Sequence, residues 1–158
     1  MPGVTSIVIA GLGGQGVLKA SDIVAEAAFR AGFDVKKAEV HGMSQRGGSV
    51  TSDVRYGEHV FSPMAPAGEA DFLVVLTADQ VDPNRHRLRP GGRLIEPCAV
   101  PEKSLRNKRS LNVALLGVLS RALEIPETAW IEAIQANLPA KLHDVNLEAF
   151  RTGREQCQ

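Results

Sequence analysis

The first thirty residues contain a strand, a glycine-rich turn and a helix in direct succession. Residues 4–10 form a short apolar run with β-branched side chains at its centre, which predicts a strand buried on both faces. Gly11, Gly13 and Gly16 follow in the spacing G-x-G-x-x-G, and a helical apolar pattern runs from there to Ala31. This order is typical of a Rossmann-like start to an α/β domain, in which the turn faces a ligand or presents backbone amides.

The remaining pattern predicts a mixed sheet rather than a fully parallel one. Residues 33–40 predict a second strand. The alternation over 49–56, followed by a Gly57-Glu58 turn, predicts a hairpin with residues 59–61. Further strands are expected at 70–77 and, after a Pro90–Gly92 turn, at 93–96. Helices are expected at 16–31, at 79–88, at 111–123, from Pro126 to Pro139, and at 145–151 with Gly153 closing the last. We therefore expect one three-layer α/β/α domain over residues 1–158.

Composition narrows the functional classes. The 18 Lys and Arg residues balance 18 Asp and Glu, and aromatic residues make up 4%, which argues against nucleic-acid and membrane binding. Cys98 and Cys157 lie far apart and outside any C-x-x-C, so zinc, iron–sulfur and disulfide sites are unsupported and no metal site is expected. Since neither a membrane-length apolar run nor a signal peptide is visible, we expect a cytoplasmic protein.

Two loops supply the candidate binding residues. The first holds Gly11, Gly13, Gly14, Gln15 and Gly16, where glycines permit close approach and the helix N-terminus favours an anion. The second follows the next predicted strand and holds His41, Gly42, Ser44, Gln45, Arg46, Gly47 and Gly48. Its arginine suits a phosphate or a carboxylate. Strand ends in such sheets gather the ligand site, so we expect both loops at one edge.

Simpler interpretations remain for these residues. The glycines serve equally well in a tight strand-to-helix turn, and a structural role is the favoured interpretation for His41. The basic residues at 85–93 and 103–109 are interpreted as a solvated face. No serine in a nucleophile elbow and no acid near His41 completes a triad, so we assign no catalytic residue to this chain.

Four segments together resemble a known family. They are G-L-G-G-Q-G-V at 11–17, E-V-H-G-M-S-Q-R-G-G-S-V at 39–50, L-N-V-A-L-L-G-V-L at 111–119 and V-N-L-E-A-F-R-T-G at 145–153. They resemble the small subunit of 2-oxoacid:ferredoxin oxidoreductases, most closely the beta subunit of the indolepyruvate type. In pyruvate:ferredoxin oxidoreductases, the part that corresponds to this subunit is the gamma subunit, or domain III. The resemblance extends from Ile7 to Gly153.

The resemblance implies a role within a larger complex. Such complexes decarboxylate a 2-oxoacid oxidatively with coenzyme A, yielding acyl-CoA and CO₂, and pass electrons to ferredoxin. Thiamine diphosphate, Mg²⁺ and [4Fe–4S] clusters would lie on a large partner subunit, and this chain would bind none of them. The two loops would line the active site, with CoA at the subunit interface as one occupant. The isolated chain would be inactive, and a homodimer is compatible with its exposed contact surface.

Two other functions stay open from sequence. A stand-alone NAD(P)-dependent oxidoreductase would use Glu39 as the ribose-binding acid, because it follows Gly16 at nearly the expected spacing. A helix after Val40 would favour that function, whereas a hairpin favours the oxidoreductase subunit. A purely structural assembly module is the third hypothesis. Arg46→Ala distinguishes the assembly module from the oxidoreductase subunit. If the complex still assembles but its turnover falls, Arg46 has a role at the active site.

Overall fold

A computed structural model describes residues 3–41 and 48–156 of the chain. Its strands are β1 (Thr5–Leu12), β2 (Asp34–His41), β3 (Ser49–Gly57), β4 (Ala70–Val75) and β5 (Leu88–Ile95). Its α-helices are α1 (Val17–Arg30), α2 (Val81–Asn84), α3 (Leu111–Ser120), α4 (Glu127–Asn137) and α5 (His143–Arg154). Short 3₁₀ turns precede and follow α2 and occupy much of the connection between β5 and α3.

The five strands form one mixed sheet in the order β2-β3-β1-β4-β5. Strand β3 is antiparallel to both of its neighbours, whereas β1, β4 and β5 run parallel. The expected mixed α/β sheet is thus confirmed. The predicted hairpin partner is wrong, because β3 pairs with β2 over its length and residues 59–61 form no strand. Val60 is instead buried, and its amide donates to the Asp34 carboxylate at 2.8 Å.

Alternating residues of the central strands divide the core into two parts. Ile7, Ile9 and Val74 pack with the four long helices α1, α3, α4 and α5. The residues in between, such as Val8 and Leu73, pack with Val81 of α2 on the opposite face. The α/β/α layering therefore holds, with a thick helical layer on one face and a thin one on the other.

Gly153 does not end the last helix as the sequence suggested. It lies buried inside α5, where the backbone approaches α3 closely. A Cβ at Gly153 would collide with the carbonyl oxygen of Ala114, and one at Gly117 would collide with that of Phe150. These two glycines therefore allow α3 and α5 to cross nearly backbone to backbone.

Pro90–Gly92 is likewise not a turn ahead of a strand. These residues lie within β5 as a bulge, because Ala70 of β4 pairs with Leu88 while Phe72 pairs with Arg93. Gly91 takes a left-handed conformation with φ of +79° there. The extra residues bend this edge strand and interrupt its ladder.

No helix in the described parts of the chain is both long and apolar enough to cross a membrane.

Candidate functional site

The glycine loop connects the carboxyl end of β1 to the first turn of α1. Gly16 is the N-cap of α1 with φ of +85°, a conformation that other residues rarely adopt. At Gly11 a Cβ would approach both Gln15 Oε1 and Val17 Cγ2 to 2.9 Å, so a side chain has no room there. The loop is thus built around positions where only glycine fits without displacement of a neighbour.

Gln15 closes the loop on itself. Its side-chain Oε1 accepts from the Leu12 amide at 2.8 Å, and its own amide donates to the Leu12 carbonyl at 3.1 Å. The side chain of Gln15, one of the candidate binding residues, therefore holds the turn. Gly13 and Gly14 are exposed on the outside of the turn.

The second predicted loop lies beside the first. The Gly13 amide donates to the Gly48 carbonyl at 2.9 Å, which joins the two segments directly. His41 is exposed at the end of β2 and lines the same cavity as Gly13 and Gly48. The structure therefore brings the described ends of the second loop, His41 and Gly48, to the same edge of the sheet as the glycine loop, as their positions after strands predicted. Gly42, Ser44, Gln45, Arg46 and Gly47 lie outside the described residues.

Two cavities open on either side of the glycine loop. One has a volume of about 380 Å³ and lies between the first turn of α1 and the ends of β2 and β3. The other, of about 460 Å³, lies between the loop and the N-terminus of α3. Residues Gly14 and Gly16 line both cavities, so the loop forms the ridge between them.

The second cavity contains residues whose role the sequence did not reveal. Asn112 Nδ2 donates to the Gly16 carbonyl at 3.2 Å, across 96 residues of sequence. Lys108 and Arg109, interpreted above as part of a solvated face, line this cavity as exposed side chains. The sequence feature that could have indicated this contact is Asn112, the polar residue in the otherwise apolar segment 111–119. The structure buries it.

The electrostatics of this edge favour anions. Helices α1 and α3 both begin here, and neither has an acidic residue in its first turn or a side-chain cap. Lys19 adds an exposed ammonium to the first cavity. Arg109 and Lys108 add positive charge to the second cavity, although Lys108 is ion-paired with Glu102 at 2.9 Å, a hydrogen bond that raises the pKa of the lysine.

The residues that the structure describes contain no set of side chains that could bind a metal ion. No group of three or more His, Cys, Asp or Glu side chains gathers within residues 3–41 and 48–156. Glu39, the expected ribose-binding acid, is ion-paired with Lys37 at 2.9 Å. Strand β3 also separates β2 from β1, whereas the dinucleotide plan places these two strands side by side.

Comparison with known proteins places this geometry in a family. The family model for pyruvate ferredoxin/flavodoxin oxidoreductase matches residues 6–101 and 98–156. Indolepyruvate oxidoreductase subunit IorB of Archaeoglobus fulgidus is 54% identical, with 96% of this chain and 94% of that protein covered. The subunit of the same name from Thermococcus kodakarensis is 36% identical over 94% of this chain and 93% of its own length.

Solved structures share the fold. The gamma subunit of a keto/oxoacid ferredoxin oxidoreductase from Geobacter sulfurreducens superposes with a TM-score of 0.78 at 24% identity, covering 98% of this chain and 96% of that one. A 2-oxoglutarate:ferredoxin oxidoreductase from Magnetococcus marinus, with 2-oxoglutarate, coenzyme A and succinyl-CoA bound, gives 0.83 at 22% identity. This chain covers 30% of the length of that larger chain.

Proposed function

Because the chain belongs to the pyruvate ferredoxin/flavodoxin oxidoreductase family, we propose that it is the small subunit of an indolepyruvate-type 2-oxoacid:ferredoxin oxidoreductase. The assembled complex oxidatively decarboxylates a 2-oxoacid with coenzyme A. It releases acyl-CoA and CO₂ and passes two electrons to ferredoxin. The observation that carries this proposal is the end-to-end similarity to IorB subunits, at up to 54% identity.

The redox and carbanion chemistry belongs to a larger partner subunit in this proposal. A [4Fe–4S] cluster takes four thiolates, whereas the sequence has only two cysteines. Cys98, the cysteine within the described residues, is exposed. The residues of this chain therefore do not fit a cluster. Thiamine diphosphate and Mg²⁺ are assigned to the same partner, which also delivers electrons to ferredoxin.

The edge of the sheet that holds the glycine loop, His41 and Gly48 is the part of this chain that faces the partner's active site. Its glycine loop and His41 present a surface on which another backbone or a ligand can approach closely. The anion-favouring cavity with Lys108 and Arg109 suits the phosphate groups of CoA at the subunit interface. Binding and orientation of the thiol substrate are thus the contributions expected of this chain.

The first test is reconstitution. The purified chain, mixed with indolepyruvate, CoA and a viologen acceptor, is expected to give no reduction. Co-expression with a large thiamine- and cluster-bearing subunit should give 2-oxoacid-dependent reduction that requires both polypeptides. Turnover by the isolated chain, or failure of the two chains to co-purify, would contradict the proposal.

The second test addresses the edge itself. Lys108→Ala with Arg109→Ala in the reconstituted complex should raise the KM for CoA about tenfold, the loss of roughly 1.4 kcal/mol of charge-assisted hydrogen bonding. The KM for the 2-oxoacid should not change. Lys141→Ala with Arg151→Ala removes the same charge from exposed positions elsewhere and is the matched control. Equal effects of both pairs would assign the change to net charge rather than to the site.

The NAD(P)-dependent alternative has no observation in its favour. Within the described residues, the next element after β2 is strand β3, and Glu39 is ion-paired with Lys37. NADH should show no saturable binding when it is titrated into the protein and the fluorescence of Trp130 is monitored for quenching.

A further inference from the structure

The two edges of the sheet differ in how they are protected against further pairing. Edge strand β5 carries Pro90, which lacks an amide donor, and the bulge that follows it. Edge strand β2 has neither proline nor glycine over its eight residues. It pairs with β3 from Asp34 to His41 without a register shift. No strand among the described residues covers the outer side of β2.

An exposed lysine is a common guard of such an edge, and β2 contains two lysines. Lys37 does not act in this way, because its ammonium bonds to Asp22 of α1 and to Glu39, and its side chain is 21% exposed. Only Lys36 extends toward solvent on the other face of the strand, 3.9 Å from the carboxylate of Asp34. A regular, unpaired row of backbone donors and acceptors thus remains open along β2.

Symmetry restricts what a second copy could do at this edge. Two antiparallel copies of one strand related by a two-fold axis place some residue directly opposite itself. An axis at Lys36, Lys37 or Glu39 would place like charges face to face, which is destabilising. An axis at Val35 would place Lys36 opposite Asp34 but would overlap only residues 34–36 of β2. An axis at Ala38 overlaps residues 35–41, places Lys37 opposite Glu39 of the second copy, twice, and places Lys36 opposite Val40.

We infer that β2 is a homodimer interface in which a second copy of this chain extends the sheet to ten strands about a two-fold axis at Ala38. Apolar side chains beside the edge support it. Val40 is 47% exposed, and Phe29 of α1 is 69% exposed next to a groove of about 400 Å³ that Val35 and Lys37 also line. The second copy removes part of this surface from water.

The first measurement is the mass of the full chain in solution. Sedimentation velocity should give twice the monomer mass of 16.9 kDa at micromolar concentration. Glu39→Lys places lysines opposite lysines at the axis and should shift the chain to monomer. Glu155→Lys, an equal charge change at an exposed position at the C-terminal end of α5, should not. A wild-type chain that stays monomeric at high concentration overturns the inference.

The second measurement reports the register by cross-linking, in a background with Cys98→Ser and Cys157→Ser. Residues directly opposite have Cβ atoms ~4.5–5.5 Å apart, so Ala38→Cys should cross-link to itself under mild oxidation or with dibromobimane. Val40→Cys should not, because two copies of that residue lie ~13 Å apart along the strands. The same holds for Lys36→Cys alone, but a mixture of the Lys36→Cys and Val40→Cys chains should cross-link.

These variants preserve the charge pair at the axis and lie on an exposed strand, so they report proximity rather than stability. Far-UV circular dichroism of each chain verifies that it is folded. A dimer in which Val40→Cys links to itself, or Ala38→Cys does not link at all, places the axis elsewhere and overturns the inference as firmly as a monomer does.

Discussion

The crossing of α3 and α5 makes Gly153→Ala a sharp test of the packing. Alanine exceeds glycine in intrinsic helix propensity by about 1 kcal/mol, so propensity alone predicts stabilisation. In the structure the added Cβ would collide with the Ala114 carbonyl oxygen, lie 2.8 Å from its carbon and 3.2 Å from Gly117 Cα. Ordinary contact begins near 3.4 Å, so α3 and α5 must separate by more than about 1 Å to clear the Ala114 carbonyl oxygen.

The magnitude follows from what such a separation costs. An extra methyl group in a packed core costs roughly 1–3 kcal/mol, and here the neighbour is rigid helix backbone rather than a side chain that can rotate, which favours the upper end. After the gain in propensity, we expect a net loss of about 2 kcal/mol. For a chain of this size that corresponds to a fall in Tm of roughly 4–8 °C.

Thermal and urea unfolding followed by circular dichroism measure the loss. Arg151→Ala, at an exposed position of the same helix, is the control and should change the free energy of unfolding by less than about 0.5 kcal/mol. Gly117→Ala should destabilise similarly, and the double variant should cost less than the sum, because one separation of the helices relieves both collisions. A Gly153→Ala chain as stable as the wild type would refute this account of the crossing.

Three further predictions concern buried groups. Asp53→Ala should cost about 3–5 kcal/mol in urea unfolding, because it leaves the half-buried Arg87, now paired at 2.6 Å, without its carboxylate. Trp130→Phe should cost at least about 2 kcal/mol less than Trp130→Ala, since the buried Nε1 has no hydrogen-bond partner among the described residues to lose. Burial raises the pKa of Tyr56 to about 12 from 10.0, so the unfolded phenol ionises first. Its contribution of roughly 2–3 kcal/mol should persist below pH ~10 and disappear as pH rises through ~12, a dependence that Tyr56→Phe should remove.

Local sequence patterns were sufficient to predict the first elements of the fold. The strand, the glycine turn and helix α1 involve residues close in sequence, and their spacing predicted all three. The position of β3 between β2 and β1 was not predictable in the same way. Alternation identifies a strand but not its neighbours, so Ser49–Gly57 was paired forward with residues 59–61 instead of backward with β2.

Glycines showed the same limit. A glycine near the end of an apolar pattern usually terminates a helix, and this rule holds at Gly32, whose φ is +96°. It fails at Gly153, because the reason for glycine there is the backbone of α3 some forty positions earlier in the sequence. Lys108 and Arg109 are exposed, as the solvated-face interpretation expects. Nothing local in the sequence indicated that they also line a cavity beside the glycine loop.

These long-range contacts join the candidate site to the core through one helix. Helix α3 holds Asn112, which bonds to the Gly16 carbonyl, in its first turn. Gly117, which packs against α5, lies about one and a half turns later. Any displacement of α3 away from α5 therefore moves Asn112 relative to the glycine loop. In the reconstituted complex, Gly153→Ala should for this reason change the KM for CoA at temperatures where the chain is still fully folded. The distance between α3 and α5 therefore determines both the stability cost of that substitution and the position of Asn112 at the site.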